Sequence, residues 1–221
     1  MSPRPFQVDP DVMACIRPMR ATDTDRVAQL HHDAMGSSLW ATLGLRFLQA
    51  VYRILLDDER FLGFVYEEEG HIGGFIAGSQ DTDKMLHQCL RRAWLALGMA
   101  SLPASLHPGT LRKLVQTARY SNTSGGAHMA ESLFCSFESG LRGRRISGHI
   151  NKVLFDELLA RGHTHVKVTT EVDNEGANRQ LMSWGFADAA RFDFYGKPMV
   201  RYELDLEASE RVEAISRHPA V

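Results

Sequence analysis

Leu141-Arg-Gly-Arg-Arg-Ile-Ser-Gly148 stands between a run that reads as a β-strand, Glu131–Phe137, and one that reads as a helix, Arg145–Ala160. A helix N-terminus presents free N–H groups and a partial positive charge, so a phosphate can dock there without a side-chain base. Gly143 and Gly148 permit close approach of the backbone, and Arg142, Arg144 and Arg145 add positive charge. A solvated basic turn ahead of a surface helix would have the same composition. The segment carries neither GxxxxGK[ST] nor GxGxxG, which separates it from the nucleotide-binding loops.

Downstream, His165–Val172 reads as a strand, Asn174–Trp184 as a helix, and Phe192–Tyr195 with Met199–Leu206 as a closing strand pair. Upstream, a strand near Cys15–Arg20 meets a helix start at Thr22, after which Val27, Leu30 and Ala34 share one helical face. A second helix is expected over Trp40–Leu56. Phe61–Glu67 and His71–Ser79 are apolar runs parted by Glu68-Glu69-Gly70, the pattern of a hairpin. Residues 80–128 suggest helices near 83–101 and 109–119, then a loop at the SNTSGG of 121–126. The tail from Glu207 is polar. Strands alternating with helices make this an α/β or α+β domain.

With 221 residues, the chain has room for one well-cored domain and is short for two. A formal charge of −2 gives no electrostatic case for nucleic acid. Cys15, Cys89 and Cys135 are odd in number, with no CxxC, against a disulfide framework and for a reducing, cytoplasmic setting. The paired histidines His31-His32 and His163/His165 lack a third ligand at metal spacing, so no metal site is expected. The N-terminus has no apolar leader core. The longest apolar stretch, Ala93–Leu106, contains Pro103 and falls short of the about 20 residues of a membrane span. Within it, Ala93–Met99 suits packing on its own core, an acceptor pocket, a homodimer contact or a lipid surface.

A second segment gives the basic turn its context. Asn174-Glu-Gly-Ala177-Asn178-Arg-Gln-Leu181-Met-Ser-Trp184-Gly185-Phe186 follows the next strand. Together, the strand–basic turn–helix–strand and this NxxAN…WGF helix resemble the GNAT N-acetyltransferase superfamily, with its R/Q-x-x-G-x-G/A and N-x-x-A-x-x-x-Y-x-x-x-G-F motifs. The match is strong over about 128–206 and weaker over the N-terminal strand, early helices and hairpin. Residues 80–128 find no counterpart in the common core.

The resemblance implies a single GNAT-like domain over 15–206, with 80–128 a variable helical insertion, 1–14 an extension and 207–221 a tail. Its sheet would be mixed, mostly antiparallel and of about seven strands flanked by helices, with the fourth and fifth splayed. It also implies acetyl-CoA (coenzyme A) as co-substrate. Cys135 and Phe137 would offer backbone groups to the pantetheine arm. Arg142, Gly143, Arg144, Arg145, Ile146, Ser147 and Gly148 would wrap the pyrophosphate through their amides. Asn174 and Asn178 would flank the lower arm. Three positions depart from the family: Arg145 replaces glycine, Ser147 replaces glycine or alanine, and Leu181 replaces the tyrosine that protonates the leaving thiolate. An arginine at 145 crowds the turn if that backbone needs φ > 0.

Amine acylation needs a neutral amine, so a base must take a proton. Ala130-Glu131-Ser-Leu-Phe-Cys135 resembles the histone-acetylating branch, where the glutamate is the base, and half-burial would raise its pKa. A strand-end glutamate in solvent or a salt bridge is the plain alternative. Tyr195, at the last hairpin, is a substitute acid or a packing residue. The expected activity is acetyl transfer to an amine, of a small molecule by preference, by direct attack. The alternative is a coenzyme-A-binding sensor or interaction module without transfer.

Overall fold

The computed structural model describes residues 7–34, 44–97, 129–141, 143–194 and 196–208, the side chains of 90 and 93–97 excepted. The expected helix over 109–119, the loop at 121–126, Arg142 and Tyr195 lie outside these residues, as does most of the tail.

A seven-stranded sheet forms the centre, in the order β1-β2-β3-β4-β5-β7-β6. Its strands are β1 Ile16–Pro18, β2 Phe61–Glu68, β3 His71–Ser79, β4 Ala130–Phe137, β5 His165–Glu171, β6 Ala187–Phe194 and β7 Lys197–Asp205. Every adjacent pair is antiparallel except β4 with β5, which are parallel. Helices are α1 Pro10–Ala14, α2 Thr24–Ala34, α3 Leu45–Leu56, α4 Thr82–Leu97, α5 Ile146–Ala160 and α6 Glu175–Trp184. None of the described helices is long and apolar enough to cross a membrane.

The two faces of the sheet bury separate cores. On one, Ile146, Ile150, Leu154, Phe155 and Leu158 of α5 pack against Ile76, Val166 and Tyr202, joined by Leu181, Trp184 and Phe186. On the other, α2, α3 and α4 contribute Val27, Leu30, Leu48, Tyr52, Leu55 and Met85 against Val65, Phe75 and Ala77. This two-layer covering explains why the central strands read as apolar runs rather than alternating ones.

The β2–β3 hairpin closes through Glu69 at φ 52 and Gly70 at φ 80, with Glu68 opposite His71. Two central residues at positive φ define the tight turn whose twist suits a hairpin. Helix α2 begins later than Thr22, because Ala21–Asp23 forms a 3₁₀ turn first. There Asp23 accepts from the Arg20 N–H at 2.7 Å and pairs with Arg17. In the WGF segment, Gly185 at φ 93 ends α6, and the Phe186 N–H returns to the Leu181 carbonyl at 3.2 Å. That geometry turns Trp184 and Phe186 inward, where both rings meet Phe155.

Candidate active site

Strands β4 and β5 pair at three positions only, Ala130–Val166, Glu131–Lys167 and Ser132–Val168. Beyond them β4 stays with β3 as far as Phe137, opposite Gly74, and β5 stays with β7 as far as Glu171, opposite Met199. The sheet therefore opens into a V. In β4 the register skips Leu133: Ser132 faces Gly78 and Phe134 faces Ala77. Such a bulge bends its strand and leaves the extra residue outside the ladder.

The V holds a cleft of about 750 Å³, within the roughly 300–1,000 Å³ typical of small-molecule sites. One wall is Ser132 to Cys135 with Phe137, the other Val168 to Glu171, and Ser147 and Asn151 of α5 with Asn174, Ala177 and Leu181 close the ends. Gly74 makes room for one wall residue, since a Cβ there would stand 2.1 Å from the Phe137 ring.

The turn before α5 runs from the 3₁₀ segment Ser139–Leu141 through Gly143 at φ 83 to Arg145 at φ 60, ψ 12. The condition attached to Arg145 is therefore met: a non-glycine residue holds the left-handed conformation there. Among the described residues, the amides of Gly143, Arg145, Ile146 and Ser147 make no hydrogen bond. Free N–H groups converging on a helix start constitute an anion-binding concavity. The Arg144 guanidinium lies elsewhere. It grips both oxygens of Glu68 at 2.6 and 2.7 Å and the Tyr66 hydroxyl at 3.1 Å. Hydrogen bonding from Arg144 holds the Glu68 carboxyl below its ordinary range. Arg144 is thus not the free cation expected of it, and its N–H donates to the Leu141 carbonyl at 3.4 Å, as that of Gly148 does to Arg145 at 3.1 Å, so these two amides are engaged within the turn.

The other expected residues separate into two sets. Cys135, Phe137, Ser147 and Asn174 stand on the cleft. Burial pushes the Cys135 thiol up to about 12 against the opposing contact of the Asn151 amide, so it is a neutral thiol at physiological pH. Asn174 also caps α6, its side chain accepting from the Ala177 N–H at 3.2 Å. Asn178 is not on the cleft wall; its amide donates to the carbonyls of Glu171 and Val172 and secures the end of β5.

Glu131 is not half-buried as expected but 2% exposed, at the closed end of the V. Its Oε2 lies 3.7 Å from the Lys167 Nζ, each side chain only 3% exposed. The pair follows from parallel register, which sets residue 131 beside residue 167. Among the described residues no group of three or more His, Cys, Asp or Glu side chains is placed to hold a metal ion.

Sequence reasoning did not single out Asn151, Ser132, Thr169 or Thr170. Asn151 carried a usable signal, being four residues after Ser147 and hence on the same face of α5. Its amide donates to the Ser147 carbonyl at 2.7 Å.

No protein-family model matches the chain, and comparison with curated proteins finds no match. Solved structures do resemble it. An N-acetyltransferase from Staphylococcus aureus Mu50 is similar with TM-score 0.58 and 17% identity, over 86% of this chain and 99% of that one. The yncA protein of Salmonella typhimurium, solved with acetyl-CoA as its cofactor, gives TM-score 0.55 and 17% identity over 88% and 95%. A protein assigned to the GNAT family from Desulfovibrio desulfuricans gives 0.52 and 10% over 86% and 97%. The fold is that of the GNAT acetyltransferases. The sheet order, the parallel β4–β5 pair and the V between them are its expression in this chain.

Proposed function

We propose that the chain is an N-acyltransferase that moves an acetyl group from acetyl-CoA to the amine of a small molecule by direct attack. One observation carries the reading: β4 and β5 part at Ser132–Val168 directly beside a helix start where, among the described residues, the amides of Gly143, Arg145, Ile146 and Ser147 are unbonded. The residues suit the co-substrate. Gly143, Arg145, Ile146 and Ser147 offer N–H groups to a diphosphate, with Arg142, Arg144 and Gly148 completing that turn. Strand β4 from Leu133 to Phe137 offers a pantetheine arm backbone groups that β5 does not take up. Asn174 and Asn178 sit at and behind the lower end of the cleft.

The amine nitrogen attacks the thioester carbonyl carbon, and the negative charge moves to its oxygen. Backbone N–H groups near the Leu133 bulge are assigned that charge, since fixed donors of this kind usually contribute most of the rate enhancement in acyl transfer. The oxyanion then re-forms the carbonyl, the carbon–sulfur bond breaks, the nitrogen releases its extra proton to water, and the thiolate takes a proton. Glu131 is assigned the ammonium proton, relayed by water because its carboxylate is buried beside Lys167. Tyr195 is assigned the proton donated to sulfur, since Leu181 puts hydrocarbon on the cleft wall where the family has its acid.

Leu181 and the closed Glu131–Lys167 pair also favour a second reading, a coenzyme-A-binding sensor or interaction module without transfer. Calorimetric titration with acetyl-CoA, then thiol release across a panel of amines, separates the two. Binding with amine-dependent thiol release supports the transferase, binding with none on any amine supports the sensor, and no binding at millimolar acetyl-CoA refutes both.

A further inference from the structure

Helix α5 buries a histidine in its first turns. His149 is 1% exposed, and both ring nitrogens are engaged. The Asp9 backbone N–H lies 2.8 Å from Nε2, and Nδ1 lies 2.9 Å from the Arg145 carbonyl oxygen. A backbone N–H can only donate, so Nε2 accepts. A carbonyl oxygen can only accept, so Nδ1 carries the hydrogen. Both contacts are satisfied by one species, the neutral ring protonated at Nδ1.

The carbonyl so held belongs to the residue at positive φ. A left-handed non-glycine residue persists where its surroundings over-determine it, and here two donors grip its oxygen: the His149 ring and the Gly148 N–H at 3.1 Å. On the far side of the ring, Asp9 leads into α1, Pro10–Ala14, whose five residues are too few to hold a helix unaided. Asp9 caps it by accepting from the Asp11 N–H, while Val8 and Val12 pack on the core beneath α5. The chain from α1 through the imidazole to Arg145 is therefore continuous.

We infer that His149 is a positioning residue for the turn over 143–148, its Nδ1–H holding the Arg145 carbonyl in place for coenzyme binding. This rests on the reading of the turn as the diphosphate seat. His149 touches no reacting atom; it fixes the carbonyl of Arg145 and with it the direction of the neighbouring amides.

The test uses the full-length chain. Long-range ¹H–¹⁵N spectra of histidine-labelled wild type report the tautomer, and Nδ1–H is expected; Nε2–H would overturn the inference. Coenzyme A affinity is then measured for three variants. His149→Asn keeps an N–H donor near the Nδ1 position, whereas His149→Gln and His149→Ala lose it. About tenfold weaker binding is expected for His149→Ala and His149→Gln, with His149→Asn within about threefold of wild type. The rate at saturating acetyl-CoA should stay within about twofold throughout, because only ground-state binding is touched. Equal binding by all the variants overturns the inference alone, and so does a pattern in which Gln rescues and Asn does not. Failure of the wild type itself to bind coenzyme A overturns the underlying reading with it.

Discussion

Replacing Arg145 with glycine should stabilise the protein, because the native residue holds a conformation it disfavours. Its backbone lies at φ 60, ψ 12, where an L-residue pays roughly 1–2 kcal/mol relative to the right-handed region. Glycine removes that strain but adds freedom to the unfolded chain, at about 0.4–1 kcal/mol. The Arg145 side chain is exposed, so little packing leaves with it. The difference favours Arg145→Gly by about 0.5–1 kcal/mol, a rise in melting temperature of about 1–4 °C for a chain of this size. Arg145→Ala retains the strain and should stay within about 0.5 kcal/mol of wild type. Urea unfolding of both variants measures the difference, and calorimetry with coenzyme A should find the glycine variant binding no more weakly. Destabilisation of Arg145→Gly by more than about 1 kcal/mol, or an equal gain in Arg145→Ala, would refute strain at this position.

Glu131→Gln leaves the buried Lys167 ammonium without its counter-charge; a loss of about 3–5 kcal/mol is expected in urea melts, largely recovered in Glu131→Gln/Lys167→Met. His31 is buried, which with the nearby His32 charge depresses its pKa to about 4, against about 6.5 when unfolded. The unfolded chain then binds more protons between pH 6.5 and 4, so stability falls as pH drops through that window, by about 2 kcal/mol at pH 5. His31→Phe should flatten that part of the pH profile of the urea midpoint, and an unchanged slope would count against it. Cys135→Ala should retain turnover, and iodoacetamide should label the wild-type residue slowly at pH 8, since burial leaves the thiol un-ionised there.

The hairpin and the α5 region were legible because their signals are local. His71–Ser79 follows from its apolar run and flanking Glu-Gly, and the helix expected over Arg145–Ala160 is found over Ile146–Ala160. Strand β6 was not. It begins at Ala187, five residues before the expected Phe192, because its first half carries small, largely exposed side chains and the register shifts between Asp188 and Ala190, so no period-two pattern marks it as sheet. Helix α1 was missed although Asp9-Pro10 is a cap followed by the proline that suits a first turn. Its stability comes from α5, which lies far along the chain. At the site, Cys135, Phe137, Ser147 and Asn174 reached the cleft wall through the resemblance, not through any local pattern. The burial of Glu131 depends on Lys167 arriving beside it from another strand, and parallel register leaves no mark in either segment.

The opening of the sheet has a local cause in β4. Parallel strands share one twist as long as their ladders remain in step. The extra residue at Leu133 increases the bend of β4 immediately after its last partner in β5, Ser132–Val168. Strand β5 cannot follow, since all seven of its residues are paired in unbroken register with β7. Strand β3 can follow, because Gly78 stands opposite the bulge. A Cβ there would lie 2.8 Å from Leu154 and 3.0 Å from the Glu131 carbonyl, so any larger residue would push β3 off the bent strand or displace α5. The bulge, the glycine facing it and the intact β5–β7 ladder therefore act together to produce the cleft. The turn over 143–148 then lies at its mouth because α5 lays its Ile146, Ile150 and Leu154 face along β2, β3 and β4, the strands on one side of the gap.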